Sequence, residues 1–352
     1  MRLHPKNPER TTAPEAPILP PPTPSTTGRT MTALTRTEYG SADVLRVGPH
    51  PIPTIEPDEV LVKVHAAGLD RGAWHLMYGQ PYLVRPVFGV RAPKDPLIGL
   101  DLAGVVEEVG EQVTGFAPGD AVFGIGRGSF AQYAAAPARK LARMPQRMSF
   151  EQAAAVPVSG LTALQAVRDH GTVQPGQRVL VIGASGGVGS FAVQIAKAAG
   201  AQVTGVCRTG KVDLVRSLGA DHVIDYTRDP ITASDAGYDV ILDIGGGRTI
   251  RELRRALTPD GTLVIIGAEG GGRWFGGLQR QLFAIVLSPF VAQKLGTFVA
   301  SENARDLEDL RALIDAGKLR TAVDRVCPLA DLPDAMRDLE AGRVRGKVVV
   351  TP

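Results

Sequence analysis

The sequence predicts an α/β protein in two parts, a β-barrel or sandwich and a doubly wound parallel sheet, and three observations carry that expectation. From Met31 to about Pro157 short apolar runs alternate with turns: 60–65 (VLVKVH), 104–110 (GVVEEVG) and 119–124 (GDAVFG). Strands at such spacing suit an all-β unit. After Glu151 the period changes, and helical stretches separate the apolar runs 178–182 (RVLVI), 202–206 (QVTGV), 223–226 (VIDY), 239–243 (DVILD) and 261–266 (GTLVII). Buried strands alternating with helices of roughly ten residues imply a parallel sheet covered on both faces. Third, a glycine-rich loop joins the first of those strands to a helical run. The chain then closes with helical patterns at 307–316 and 332–339 and a last strand at 347–351.

The 352 residues suffice for two domains, and the balance of 44% apolar to 21% charged residues is that of a globular chain. Cations exceed acids by only three, without a basic stripe or acidic tail, so nucleic acid is not an expected partner. Two cysteines, Cys207 and Cys327, make no CxxC pair, which points to a reducing, cytoplasmic setting. Residues 1–30, rich in Pro, Thr and Ser, bury too little to offset their ordering entropy and are expected to be disordered. The apolar run 282–292 (LFAIVLSPFVA) is shorter than the ~20 residues a membrane span needs and is broken by Pro289. It reads as a buried or interface segment; no membrane insertion is expected.

The strongest local signal is 179–189 (VLVIGASGGVG), followed by a helical run to Ala199. Ala184, Gly186 and Gly189 fit an A/G-x-G-x-x-G fingerprint, with Ser185, Gly187 and Val188 between them. Small residues allow the tight turn, the approach of backbone to a pyrophosphate and close helix–sheet packing, while the helix N-terminus offers free N–H groups. The preceding strand, the following helix and the second strand ending at Cys207 lie where a dinucleotide fold needs them. NAD-selective folds place an acid after that second strand; here 207–211 reads CRTGK. Arg208 and Lys211 suit a 2′-phosphate, so NADP(H) is the expected cofactor.

From about Met31 onward the chain resembles the zinc-free medium-chain dehydrogenases/reductases, the group of quinone oxidoreductase, zeta-crystallin and the mitochondrial reticulon-interacting reductase. The likeness is carried by 183–189 (GASGGVG), 217–226 (SLGADHVIDY), 99–104 (GLDLAG), 118–123 (PGDAVF), 160–164 (GLTAL) and 345–350 (RGKVVV). It implies a GroES-like barrel at 31–157, completed by 297–352, and a Rossmann domain at 158–296, with nicotinamide in the cleft between them. It also places Lys211 and Tyr226 at the 2′-phosphate, Thr162 beside the nicotinamide and Lys347 among the cofactor contacts. Zinc-dependent members use a Cys and a Gly-His-Glu where this chain has Asp70 and 99–101 (GLD), and no cysteine precedes residue 207, so no metal is expected.

Against the quinone oxidoreductases, His75 and Tyr82 fall near two cleft tyrosines, and both suit an acceptor oxygen. Asp70 stands where relatives carry Asn; it either accepts a proton or caps a helix, and Asp70 with His75 as a structural pair is the alternative. Without a Lewis acid an alcohol is hard to deprotonate, so the expected reaction is hydride transfer from NADPH to a quinone or an α,β-unsaturated carbonyl. An alcohol dehydrogenase and a noncatalytic NADPH-binding protein are the competing readings. A homodimer is compatible with all three.

Overall fold

The computed structural model describes residues 28–231, 237–267 and 272–352, so most of the extension expected to be disordered lies outside the described residues. Thr30 already opens a strand. The first part comprises β1 (Thr30–Thr35), β2 (Arg46–Pro51), β3 (Glu59–Leu69), α1 (Arg71–Tyr78), α2 (Arg85–Phe88), β4 (Asp101–Val109), β5 (Ala121–Ile125), β6 (Tyr133–Pro137) and β7 (Leu141–Arg143). Helices α3 (Phe150–Ala154) and α4 (Pro157–Gln165) lead to β8 (Arg178–Ile182), α5 (Gly187–Ala198), β9 (Gln202–Cys207), α6 (Val212–Ser217) and β10 (His222–Asp225). Then come β11 (Tyr238–Asp243), α7 (Ile250–Ala256), β12 (Leu257–Ile265), α8 (Leu278–Leu287), β13 (Lys294–Thr297) and α9 (Ala304–Asp315). The chain ends with β14 (Val323–Pro328), α10 (Leu332–Glu340) and β15 (Lys347–Thr351).

Six strands form a wholly parallel sheet in the order β10-β9-β8-β11-β12-β13. The order reverses between β8 and β11, and that crevice is where open α/β sheets bind ligands. Val179, Leu180 and Val181 of β8 are wholly buried, as a parallel strand sandwiched by helices requires. The second large sheet runs β14-β15-β3-β4-β5-β7, with β6 also on β3. Its pairs are antiparallel except β14 with β15. The last strand of the chain therefore lies beside β3, so the C-terminus completes the first domain's sheet, and the α/β architecture with a GroES-like part and a Rossmann part is as the sequence predicts.

One apolar core runs across both parts. Ala66 and Phe123 of the barrel, Ala153 to Val156 at α3, Leu161 of α4, Val181 of β8 and Phe191 of α5 belong to a single buried cluster. The contact is close because the side chains are small. A Cβ on Gly68 of β3 would lie 2.3 Å from the Ala154 carbonyl oxygen and 2.8 Å from Asp101 Oδ2. Gly68→Ala is therefore expected to destabilise the chain by about 1–3 kcal/mol through overpacking, a fall of a few degrees in Tm. Gly48→Ala in β2, where nothing lies within 4 Å of the added carbon, is the control. Equal melting temperatures for the two variants would show that the junction gives way freely.

Candidate active site

At the end of β8 the chain turns on Gly183, whose φ of 86° is left-handed. The turn residue is thus one position before Ala184, which is fully buried and packs toward Gly205 of β9 instead. Gly189 meets the strand end so closely that a Cβ there would sit 2.1 Å from the Gly183 oxygen. Gly186 has only that oxygen nearby, at 3.5 Å, and α5 starts on it with no side-chain cap. The first N–H groups of a helix have no partner within it, so this end offers donors and a partial positive charge to an anion.

The loop forms one wall of a cleft of about 780 Å³. Around it lie Asp70, His75, Thr162, Ser185, Gly186, Gly187, Val188, Arg208, Lys211, Tyr226 and Lys347, so the structure brings together most of the residues singled out from the sequence. Ala184 and Gly189 act behind the wall. Tyr82 does not line the cleft. Its amide donates to the Arg273 carbonyl at 2.9 Å, its ring meets Trp274 edge-on at 5.4 Å, and the Arg85 guanidinium lies 4.3 Å from its centroid.

At the far end of the cleft Arg208 Nε donates to the Tyr226 hydroxyl at 3.3 Å. Lys211 turns the other way: Nζ donates to the carbonyls of Gly342, at 2.9 Å, and Val344, at 2.5 Å. Burial, then the neighbouring Arg208 charge, lowers the Lys211 pKa. Thr162 donates its hydroxyl back to the Val158 carbonyl at 2.7 Å, one turn earlier in α4. Asp70 caps α1, its Oδ1 accepting from the Ala73 amide at 2.9 Å. Its side chain is buried, and Oδ2 has no hydrogen-bond partner among the described residues. His75 Nδ1 lies 3.0 Å from the Gln80 carbonyl; a carbonyl only accepts, so the proton sits on Nδ1.

Lys347 lines the cleft, yet its ammonium is engaged within the protein. It is 2% exposed, and its Nζ donates at 2.8 Å to Oδ2 of Asp101, which is 0% exposed. Asp101 Oδ1 accepts the Val158 amide at 2.7 Å, at the start of α4. The aliphatic stem of Lys347 passes 3.0 Å from where a Cβ on Gly187 would stand. Next to it Gly346 donates to the Ser185 carbonyl at 2.8 Å and bridges Gly186. The Asp101 carboxyl stands raised at about 7, the balance of burial, which raises it most, the Lys347 charge, which lowers it, and Asp70, which raises it. Sequence reasoning recorded Asp101 only as a departure from a metal pattern. The available signal was a lone cation and a lone acid, each opening an apolar strand.

Residues 56–146 match the alcohol dehydrogenase GroES-like domain family, and residues 218–350 match the zinc-binding dehydrogenase family. A chloroplast envelope quinone oxidoreductase homolog of Arabidopsis thaliana is 32% identical over 92% of this chain and 99% of its own length. The 2-methylene-furan-3-one reductase of Solanum lycopersicum is also 32% identical, over 92% of this chain and 79% of the reductase. Among solved structures, the Coxiella burnetii quinone oxidoreductase superposes with a TM-score of 0.79 at 27% identity, covering 92% of this chain and 100% of that one. A mycobacterial protein complexed with NADPH gives 0.76 at 27% identity, covering 92% and 100%. The chain belongs to the quinone-oxidoreductase-like medium-chain dehydrogenases/reductases.

The metal in the name of one matching family does not fit this oxidoreductase. Zinc needs about three N, S or O ligands from the protein. Leu100 has no lone pair to offer, and both Asp101 oxygens are engaged by Lys347 and Val158. Among the described residues no three His, Cys, Asp or Glu side chains cluster as a metal site.

Removing one partner of a buried pair strands the other's charge, at about 3–5 kcal/mol. Lys347→Met should therefore lower Tm sharply, and in a pH-dependent way. Losing the cation raises the folded-state pKa of Asp101 further above its unfolded value, so the folded chain binds more protons. Stability then falls as pH rises from the ordinary carboxylate range through that folded value. The deficit should be larger at pH 8 than at pH 5.5, and Lys347→Met with Asp101→Asn should abolish the difference. A deficit independent of pH would refute the charge argument.

Proposed function

We propose that this chain is an NADPH-preferring, zinc-independent reductase that passes hydride to a quinone or an activated enone. The observation that carries the reading is the cleft itself, with an open phosphate loop on one wall, in a chain that has Asp70, Leu100 and Asp101 where zinc-dependent members carry Cys, His and Glu. Bound NADPH supplies the hydride. The protein's part is to bind and orient. The amides at Gly187 and Val188 hold the pyrophosphate, and Arg208 and Tyr226 hold the 2′-phosphate, since β9 runs into Cys207-Arg208 with no acid to repel it. Thr162 lies beside the nicotinamide, while His75, whose Nδ1–H is spent on the Gln80 carbonyl, donates to the acceptor oxygen through Nε2 only as the imidazolium. With no Lewis acid to lower an alcohol's pKa, an electron-poor acceptor is the substrate this site suits.

The names of the tomato reductase and the Coxiella oxidoreductase support that acceptor class, and the mycobacterial NADPH complex supports the cofactor. On this reading 158–296 holds the cofactor, while 31–157 with 297–352 presents the acceptor. A reducing compartment suits Cys207 and Cys327, which are both unpaired and buried.

The test follows NADPH absorbance with quinones, enones and alcohols, with and without chelator. Quinones or enones should turn over fastest, and the chelator should change nothing. Alcohols as best substrates, or loss of activity with zinc removal, would sink the proposal. Arg208→Ala should reduce the preference for NADPH over NADH about tenfold or more, the scale of a lost charged hydrogen bond. His75→Ala should lower kcat with the best acceptor by on the order of 10²-fold if its ring meets the developing negative charge. A change below twofold would make it a wall residue.

A further inference from the structure

A second buried ion pair lies beside the cleft and has no role in the reading above. Asp243 ends β11 with its side chain 0% exposed, and its partner is Arg280 of α8, 16% exposed, whose Nη1 lies 2.5 Å from Oδ2. Helix α8 leaves Leu282, Phe283, Ile285 and Val286 exposed in the single chain, as an interface segment would, and turns Arg280 inward. Burial raises the Asp243 carboxyl, and the Arg280 charge draws it down. The contact is charge against charge, since among the described residues no N–H is aligned on Oδ2. The N–H groups of Arg280 go to backbone instead. Nη1 donates to the Arg248 carbonyl at 2.8 Å and Nη2 to the Gly267 carbonyl at 3.4 Å. Asp243 Oδ1 in turn accepts the Gly246 amide at 3.1 Å.

These backbone groups belong to two loops that wall the cleft, 244–248 after β11 and 266–267 after β12. The first reads Ile-Gly-Gly-Gly-Arg. Three glycines in succession have the widest backbone freedom, and Gly246 and Gly247 use it, at φ of 65° and 78°. Ile182 fixes the loop's entry, its carbonyl taking the amides of Ile244 and Gly245 at 3.1 and 3.0 Å. That entry lies against the phosphate loop, since a Cβ on Gly183 would stand 2.9 Å from the Gly245 nitrogen. The exit is held by the ion pair: Asp243 takes Gly246 and Arg280 takes Arg248. The same guanidinium reaches the second loop, which touches the first, as a Cβ on Gly267 would stand 2.1 Å from the Ile244 oxygen. A loop left free must be ordered when a ligand binds, and that ordering lowers affinity. We propose that Arg280 is a positioning residue for the cofactor, holding the glycine loop and Gly267 in the shape the dinucleotide meets. The proposal rests on the reading of the cleft as a dinucleotide site. Arginine suits the task because its fixed planar fork spans a carboxylate and two carbonyls, whereas lysine brings a point charge. The loop lies on the β11 side of the crevice and Arg208 on the β9 side, so the hold acts on NADPH and NADH alike.

The experiment titrates NADPH and NADH into the full chain by fluorescence, and follows amide hydrogen exchange and Tm in the same variants. Arg280→Lys keeps a charge near Asp243 and should weaken both dinucleotides by the same factor, about fivefold, the scale of ordering one loop. In the cofactor-free chain the amides of 246–248 should exchange about tenfold faster than in the parent. Arg280→Met strands the buried carboxylate, so its Tm should fall. Adding Asp243→Asn removes that charge and keeps an oxygen for the Gly246 amide, so Tm should return while both affinities stay low. That split separates positioning from packing. Should the methionine variants fail to fold, Arg280→Lys carries the test alone. Full affinity in the rescued double variant, unchanged exchange at 246–248, or a shifted ratio of NADPH to NADH affinity overturns the proposal. A parent that binds neither dinucleotide overturns the cofactor reading and this proposal with it. A parent that binds, with variants that bind equally well, leaves that reading standing and overturns the proposal alone.

Discussion

The ion pair between Lys347 and Asp101 is the interaction around which this structure is arranged. Burying two charges costs several kcal/mol each, and attraction in the interior repays that only where the geometry is good and the remaining polar atoms are satisfied. Here Asp101 gives one oxygen to Nζ and the other to the amide of Val158. The pair is accordingly weak evidence for stability and strong evidence for placement. It ties β4 to β15, sets the start of α4, and lays the Lys347 stem along Gly187 of the phosphate loop. A hydrophobic substitute of equal volume would fill the space without specifying which strand end meets which helix.

Such a junction needs backbones that approach closely, and that explains where small residues are used. Gly346 has a φ of 84°, and a Cβ on it would stand 2.1 Å from the Ala322 carbonyl. Only glycine lets the chain turn there, pair with Gly186 and present Lys347 inward in the next residue. Across the junction α3 buries three successive alanines, Ala153 to Ala155, against the barrel. The two sides of the cleft share one close-packed core rather than a polar linker.

The parallel sheet was legible because its strands are short apolar runs bounded by turns, and five of its six strands stand where the period change placed them. The sixth, β13, was not, because Lys294–Thr297 follows an apolar run that periodicity cannot separate from a buried helix. Much of the cleft wall was legible from the loop pattern and the family resemblance. What escaped was direction. Its place after the second strand, with the family resemblance, put Lys211 near the cofactor, and the resemblance alone put Lys347 there, yet one ammonium reaches carbonyls 131 and 133 residues away and the other a carboxylate 246 residues away. Sequence separations of that size carry no periodic signal. Tyr82 was misplaced because the aromatic and cationic neighbours that hold it come from Arg85 and Trp274, the latter on the other part of the chain.

Those two lysines also show how one short segment governs the whole trough. Residues 342–347 take the Lys211 ammonium at Gly342 and Val344, bond Ser185 through Gly346, and send Lys347 to Asp101. The Lys211 end of the cleft, the glycine-rich loop and the barrel are therefore referenced to the same six residues. An ammonium has three N–H donors, and two of those on Lys211 are committed to carbonyls. Burial works against its charge, and Arg208 beside it works in the same direction. An anion placed between Arg208 and Lys211 would supply a third acceptor and offset the repulsion between the cations.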